Sequence, residues 1–316
     1  MTSIGPPSEL PLPPFFDPGN ARSWSYRPDE AGLLEVSSNW RKRHRIRPSA
    51  EDERLTLLLL IDAQKDFCLP EGASFVSDGG GGGAVEDTRR IAEFLYRNLG
   101  QLSDVVCTLD SHLPHHIFFP SFWIDEDGRH PAVHTQVRAK DVREGRLVPD
   151  PGLGSWIGES SEWLRRQAEF YCAEIERGGR YELYLWPPHC LVGSDGHSLV
   201  GVVQEARLFH SLVRGSPAAL ELKGLERLTE SYSVLGPEVE ATFDGRPLAA
   251  GREAFGGQLL NADRIVVAGQ AASHCVRSTL FDLRRLIEAE RPELMTEVYI
   301  LGDCMSSGVV NDPGRG

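Results

Sequence analysis

LTLLLLI, residues 55–61, puts six apolar side chains into seven positions. A strand with one wet face alternates apolar and polar residues, whereas a parallel strand covered on both faces is apolar throughout. The run therefore predicts a buried parallel strand, and it ends at Asp62. Downstream, a glycine-rich DGGGGG stretch reads as a flexible connection, and AVEDTRRIAEFLYRNL (84–99) then carries Val85, Ile91, Leu95 and Leu99 as apolar positions of a helix. DVVCTL (104–109) is a second strand, closing at Asp110, and YELYLW (181–186) is a third, running into Pro187, Pro188 and His189. A helix over SLVGVVQEARLFHSLV (198–213) and a strand over AALEL (218–222) ending at Lys223 come next. RIVVA (264–268) leads to Cys275 and its helix, and EVYIL (297–301) leads to Gly302 and Asp303. Strands alternating with helices imply the α/β class: a mostly parallel six-stranded sheet with helices on both faces.

A chain of 316 residues, 41% hydrophobic and 25% charged, can bury a substantial core and suits one α/β domain with additions. Residues 1–53, rich in Pro, Ser and charge, read as an N-terminal arm, and residues 54–316 as the domain proper. The basic cluster RKRHRIRP (41–48) in the arm reads as a solvated run, with an anionic partner or a nuclear-import signal as the alternatives. Thirty-three Lys and Arg against 46 Asp and Glu leave a net charge of −13. That balance disfavours nucleic acid and anionic membrane as partners and fits a small uncharged or weakly charged substrate. The six cysteines, at 68, 107, 172, 190, 275 and 304, form no CxxC pairs, which suggests neither a zinc ribbon nor a disulfide framework. With no signal-peptide pattern at the start and no apolar run near the roughly 20 residues that span a bilayer, a soluble cytoplasmic protein is expected.

In open α/β sheets, ligands bind beyond the carboxyl ends of the strands. Asp62, Asp110, His189, Lys223 and Cys275 all fall at or just past such ends. A thiol becomes nucleophilic on losing its proton, which a helix N-terminus, a nearby cation and an adjacent base promote. Cys275 begins a helix, Lys223 is a candidate cation, and Asp62 is a candidate base that could later protonate a leaving amine. Taken singly, each has a plainer reading: a core thiol, a solvent-facing lysine, a turn-capping aspartate. His274 is poorly placed as base for Cys275, since helical neighbours point about 100° apart; it and Cys190 read as local packing or supporting residues. TLDSHLPHHIFF (108–119) offers Asp110 and His112 on one side of an extended segment. With His189 they make a carboxylate and two imidazoles, a set for a divalent cation: zinc foremost, iron or manganese otherwise. His115 or His116 is a candidate fourth ligand.

Five segments in order, LLIDAQKDFC, TLDSHLPHH, WPPHCLVGSDG, KGLERLTESYSVL and VAGQAASHCVRSTLFD, resemble the nicotinamidases of the isochorismatase-like cysteine hydrolases. The resemblance covers roughly residues 55–306. It implies a hydrolase that cleaves the carboxamide C–N bond of nicotinamide, giving nicotinic acid and ammonia within NAD metabolism. Position by position it implies a catalytic triad of Asp62 as general base and acid, Lys223 as its charged neighbour and Cys275 as nucleophile. Metal ligation falls to Asp110, His112 and His189, with His116 added in some members. Phe67 and Trp186 match pocket-lining aromatics, Tyr232 lies in the matching SYS segment, and Ala271 and Cys275 offer the oxyanion their backbone N–H groups, with a cis peptide before Ala271. Two alternatives stay open: a related cysteine amidohydrolase acting on another small amide or carbamoyl compound, and a catalytically idle member that binds a metabolite or protein. Self-association is compatible with either.

This sequence departs from the family pattern at several positions. Ser111 and Leu113 replace Trp and Pro of the metal loop, Phe118 stands where a Ser is usual, and Ser273 replaces an Asp. An insertion at about 121–180 exceeds the family's connection, and loops beyond about 15 residues tend to have a function or structure of their own. Within it, SSEWLRRQAEFYCAEIERG (160–178) reads as a serine-capped helix beside the sheet. The resemblance also implies a further helix after GDCMSS; the remaining GVVNDPGRG reads as a loose tail, and absence of that helix and truncation of the sequence account for it equally.

Overall fold

A computed structural model of the chain describes residues 9–77, 82–178, 182–248 and 253–308. Asp78–Gly81 of the DGGGGG stretch, Tyr181 at the head of the third predicted strand, and the tail beyond Gly308 lie outside these residues. In chain order come α1 (Glu30–His44), β1 (Thr56–Ile61), α2 (Lys65–Cys68), α3 (Gly83–Arg97) and β2 (Asp104–Asp110). The middle holds β3 (Trp123–Asp125), β4 (Gln136–Val137), α4 (Ala139–Arg143), β5 (Leu147–Pro149), α5 (Gly154–Ile157), α6 (Ser161–Arg177) and β6 (Leu183–Tyr184). The last part runs through α7 (Gly201–Arg214), β7 (Leu220–Lys223), α8 (Glu253–Leu260), β8 (Arg264–Gly269), α9 (Cys275–Glu290) and β9 (Val298–Ile300).

The central sheet has the order β7-β2-β1-β8-β9, and every neighbouring pair is parallel. All of β1 is buried, as the apolar run from Leu57 to Ile61 requires. Because side chains alternate along a strand, Leu58 and Leu60 join a core with Ile91 and Leu95 of α3 and Val203 and Phe209 of α7. Leu57, Leu59 and Ile61 face the other way, onto Phe255 of α8 and Val276, Leu283 and Ile287 of α9. Helices thus cover both faces.

Five strands, not the expected six, build that sheet. YELYLW contributes only β6, which pairs antiparallel with β4 in a separate two-stranded ribbon. The backbone groups around it are taken up locally: Leu185 N–H donates to the Thr135 carbonyl at 2.9 Å and Trp186 N–H to the Phe118 carbonyl at 2.8 Å. Pro187 and Pro188, without N–H groups, then end any ladder.

Phe118, Phe122, Trp123, Leu164 and Tyr171, all fully buried, belong to a separate apolar cluster that also takes in Trp186, Leu228, Val239 and Leu248. The serine-capped helix is α6, where Ser160 accepts a hydrogen bond from Trp163 N–H at 3.1 Å. Before the sheet, α1 lies on α7, burying Leu33 and Trp40 in the α3–α7 layer. Tyr26 and Tyr96 both donate to buried Glu205 of α7, and Arg214 pairs with Asp52. All six cysteines are free and buried. Among the described residues, no helix is long and apolar enough to cross a membrane.

Candidate active site

The parallel register brings the strand ends together. Lys223, last in β7, is paired with Asp110, last in β2, and β1 lies on the other side of β2, so Asp62 emerges next to both. Cys275 opens α9 just after β8, the other neighbour of β1. Asp62 adopts φ +47°, a left-handed conformation unfavourable to residues other than glycine. Thr108 holds it there, its carbonyl accepting from Asp62 N–H at 3.2 Å and its hydroxyl donating to Asp62 Oδ1 at 2.5 Å. Gln64 clasps Asp110 through both backbone groups, each at 2.8 Å.

Lys223 Nζ is the hub. It lies 3.0 Å from Asp62 Oδ2, 2.8 Å from Asp110 Oδ1 and 3.5 Å from Cys275 Sγ, and donates to the Ser231 carbonyl at 3.0 Å. The ligating atoms of Asp62, Asp110 and Cys275 all lie within 4.8 Å of one another, and all four side chains are buried. Burial works to lower the Lys223 pKa, but Asp110 and Asp62 outweigh it and raise it well above the lysine value, so the ammonium is retained. Burial pushes the Cys275 thiol well above the ordinary cysteine value, with Lys223 opposing, so the resting sulfur carries its proton. Burial also raises Asp62 against the pull of Lys223, which makes its carboxylate a better proton acceptor. For Asp110 burial is overcome by His112 and Lys223, and the carboxyl is held well below its usual range.

Asp110, His112 and His189 form a second cluster whose ligating atoms lie within 4.8 Å of one another. His112 Nδ1 is 3.1 Å from the Gly224 carbonyl and His189 Nδ1 2.8 Å from the Pro187 carbonyl. A carbonyl can only accept, so each Nδ1 carries a hydrogen and each ring turns its Nε2 toward Asp110 Oδ2. Burial keeps the His112 pKa below its ordinary value despite Asp110. Its Nε2 approaches Asp110 Oδ2 to 2.9 Å yet finds no hydrogen-bond partner, and His189 Nε2 stands 3.7 Å from the same oxygen. Lone pairs converging on a carboxylate oxygen suit a cation, and histidines oriented by backbone carbonyls are the usual support of such a site. The turn after β7 depends on Gly224, at φ +81°, where a Cβ would sit 2.7 Å from His112 Cε1.

His116 is not brought into this set. It is wholly buried, its ring centroid 5.0 Å from that of His112, and neither nitrogen has a hydrogen-bond partner. His115 turns away, its Nδ1 3.2 Å from the Ser121 carbonyl.

Beside the two clusters lies a pocket of about 440 Å³, mouth included, walled by Phe67, Trp186, Tyr232, Ala271 and Cys275. Trp186 Nε1 donates to Tyr232 Oη at 3.2 Å, and the Phe67 ring centroid lies 5.4 Å from that of His189. The peptide between Gln270 and Ala271 is cis. His274, read from the sequence as a local packing or supporting residue, lines the pocket and meets the Trp186 ring at 5.7 Å between centroids. Sequence reasoning missed Glu230, Gln64 and Thr108. Glu230 lines the pocket, and burial, then repulsion from Asp110, raises its carboxyl well above the usual range. Its place two residues before Tyr232, and that of Gln64 two after Asp62, are the only signals the sequence carries for them.

No family model matches the chain, and no curated protein matches it. Solved structures similar to it include the yeast nicotinamidase Pnc1p, at 18% identity over 82% of this chain and 91% of that one, with a TM-score of 0.49. A nicotinamidase/pyrazinamidase of Acinetobacter baumanii is similar at 17% identity over 83% and 88%, with a TM-score of 0.46. The pyrazinamidase of Pyrococcus horikoshii in complex with zinc is similar at 18% identity over 78% and 98%, with a TM-score of 0.39.

Proposed function

We propose that the chain is a metal-assisted cysteine amidohydrolase that converts nicotinamide to nicotinic acid and ammonia. The observation that carries this reading is the buried contact of one ammonium, Lys223, with Asp62, Asp110 and Cys275 beside an aromatic-walled pocket. Asp62 removes the Cys275 proton as the sulfur attacks the carboxamide carbon, and Lys223 offsets the negative charge that develops between them. The N–H groups of Ala271 and Cys275 receive the oxyanion. Asp62 then passes its proton to the departing ammonia and takes another from the water that cleaves the thioester, which frees the thiol and the acid. Phe67 and Trp186 hold a flat ring between them and keep bulk water from the thioester.

Asp110, His112 and His189 fit a divalent cation by their donor set and by the orphaned His112 Nε2. Bound there, zinc, or iron or manganese, would supply a Lewis acid for the pyridine nitrogen that orients the ring and draws electron density from the carbonyl.

Ammonia release from nicotinamide by metal-loaded protein tests the reading. Wild type should turn over, and Cys275→Ala should fall by more than about a thousandfold. Equal rates in the two proteins, or no turnover by wild type loaded in turn with each of the three metals, would overturn it.

A further inference from the structure

A set of buried polar contacts around the loop before Cys275 has no part in the chemistry above. Asp87, on α3, has a side chain only 2% exposed. Its Oδ2 accepts from Gln270 Nε2 at 2.8 Å and from the Ser306 hydroxyl at 2.7 Å, and its Oδ1 accepts from the Arg90 guanidinium at 2.6 Å. Gln270 is wholly buried, and its Oε1 accepts from Ser306 N–H at 3.1 Å. Its backbone N–H donates to the Ile61 carbonyl at 2.8 Å, one residue before Asp62. The same C-terminal segment continues along the loop: Ala272 N–H donates to the Ser306 carbonyl at 2.8 Å, and the Ser273 hydroxyl to the Ser307 carbonyl at 2.7 Å.

An apolar side chain at 270 would pack without any partner, whereas a buried amide left unpaired is destabilising. What the polar clasp adds is direction, because hydrogen bonds to a carboxylate are short and angle-dependent. Gln270 is tied on one side to α3 and on the other to the strand end that presents Asp62. The next residue is Ala271.

We propose that Asp87 is a positioning residue, which through Gln270 holds the Ala271 N–H in register with the Cys275 N–H for the oxyanion. The assignment rests on the amidohydrolase reading, since only a reaction at a carbonyl develops such a charge. Asp87 touches no reacting atom; its effect is on the transition state and not on binding of the flat ring.

The test uses metal-loaded Asp87→Asn, Gln270→Met and the double variant. Expected for each single change is a fall in kcat on nicotinamide of about ten- to a hundredfold with KM within about threefold. The double variant should be no slower than the worse single, because both act through one contact. Affinity for pyridine-3-carboxaldehyde, whose adduct with the thiol places an oxygen where the oxyanion forms, should fall by the same factor as kcat, while affinity for nicotinic acid holds. Loss of both affinities together, or a preserved kcat in an active protein, would overturn the assignment and leave the amidohydrolase reading standing. Should Asp87→Asn fail to fold, Gln270→Met carries the same comparison alone. A wild type that turns over no nicotinamide brings down the activity and the positioning role together.

Discussion

Lys223 is the residue on which the site's charge balance turns. Two buried carboxylates, Asp62 and Asp110, face one ammonium, so Lys223→Met would leave both without a counter-charge. Removing one partner of a buried pair costs about 3–5 kcal/mol, and urea denaturation should show a loss of that order, along with kcat/KM reduced by at least about a hundredfold. Unchanged stability would refute this charge balance. Asp62, Asp110, Lys223 and Cys275 were legible in the sequence because each ends or follows an apolar strand run, and parallel strands gather such ends on one edge. Asp87, Thr108 and Glu230 were not. The contacts of Asp87 with Gln270 and of Thr108 with Asp62 join positions far apart in the chain, and no local pattern links one partner to the other.

At the level of elements, α7 carries a histidine with a pH signature of its own. His210 is fully buried, with Nε2 3.0 Å from the Leu102 carbonyl and Nδ1 3.2 Å from the Ser216 hydroxyl. Burial, with Arg214 adding to it and the Leu102 carbonyl opposing, lowers its pKa from 6.5 to about 4. The unfolded chain therefore takes up this proton first as pH falls, so the group's contribution is complete above about 6.5 and is lost progressively down to about 4. Between pH 7 and pH 5 wild type should lose about 2 kcal/mol more than His210→Gln, read from urea midpoints; parallel losses would refute it. The predicted helices over 84–99 and 198–213 and the strand over 55–61 match α3, α7 and β1 because their apolar periodicity is satisfied within the element and its immediate layer. β6 escaped the same reasoning. YELYLW has strand composition, but which sheet a strand joins depends on the edge that meets it, and β4 of the insertion does so.

Over the whole molecule, two layers and an added cluster share the apolar burial. The segment before β1 belongs to one of those layers: Trp40 is 4% exposed and its ring lies 6.1 Å from Phe209. Trp40→Ala should lower stability by about 3–5 kcal/mol, and a melting temperature equal to wild type would show that Trp40 adds nothing to the core. Composition registers proline and charge in that segment; it does not register that Leu33, Trp40 and Ile46 reach inward. Trp186 has a double allegiance, packed in the cluster that includes the insertion and yet lining the same pocket as Cys275. Tyr171 of α6 likewise accepts a hydrogen bond from the backbone of Glu230. The apolar packing behind Trp186 and Glu230 thus lies in a different cluster from the strands that end at Asp62, Asp110 and Lys223, and exchanges of Leu164 or Leu183 would shift the wall at Trp186 with those three side chains still in place.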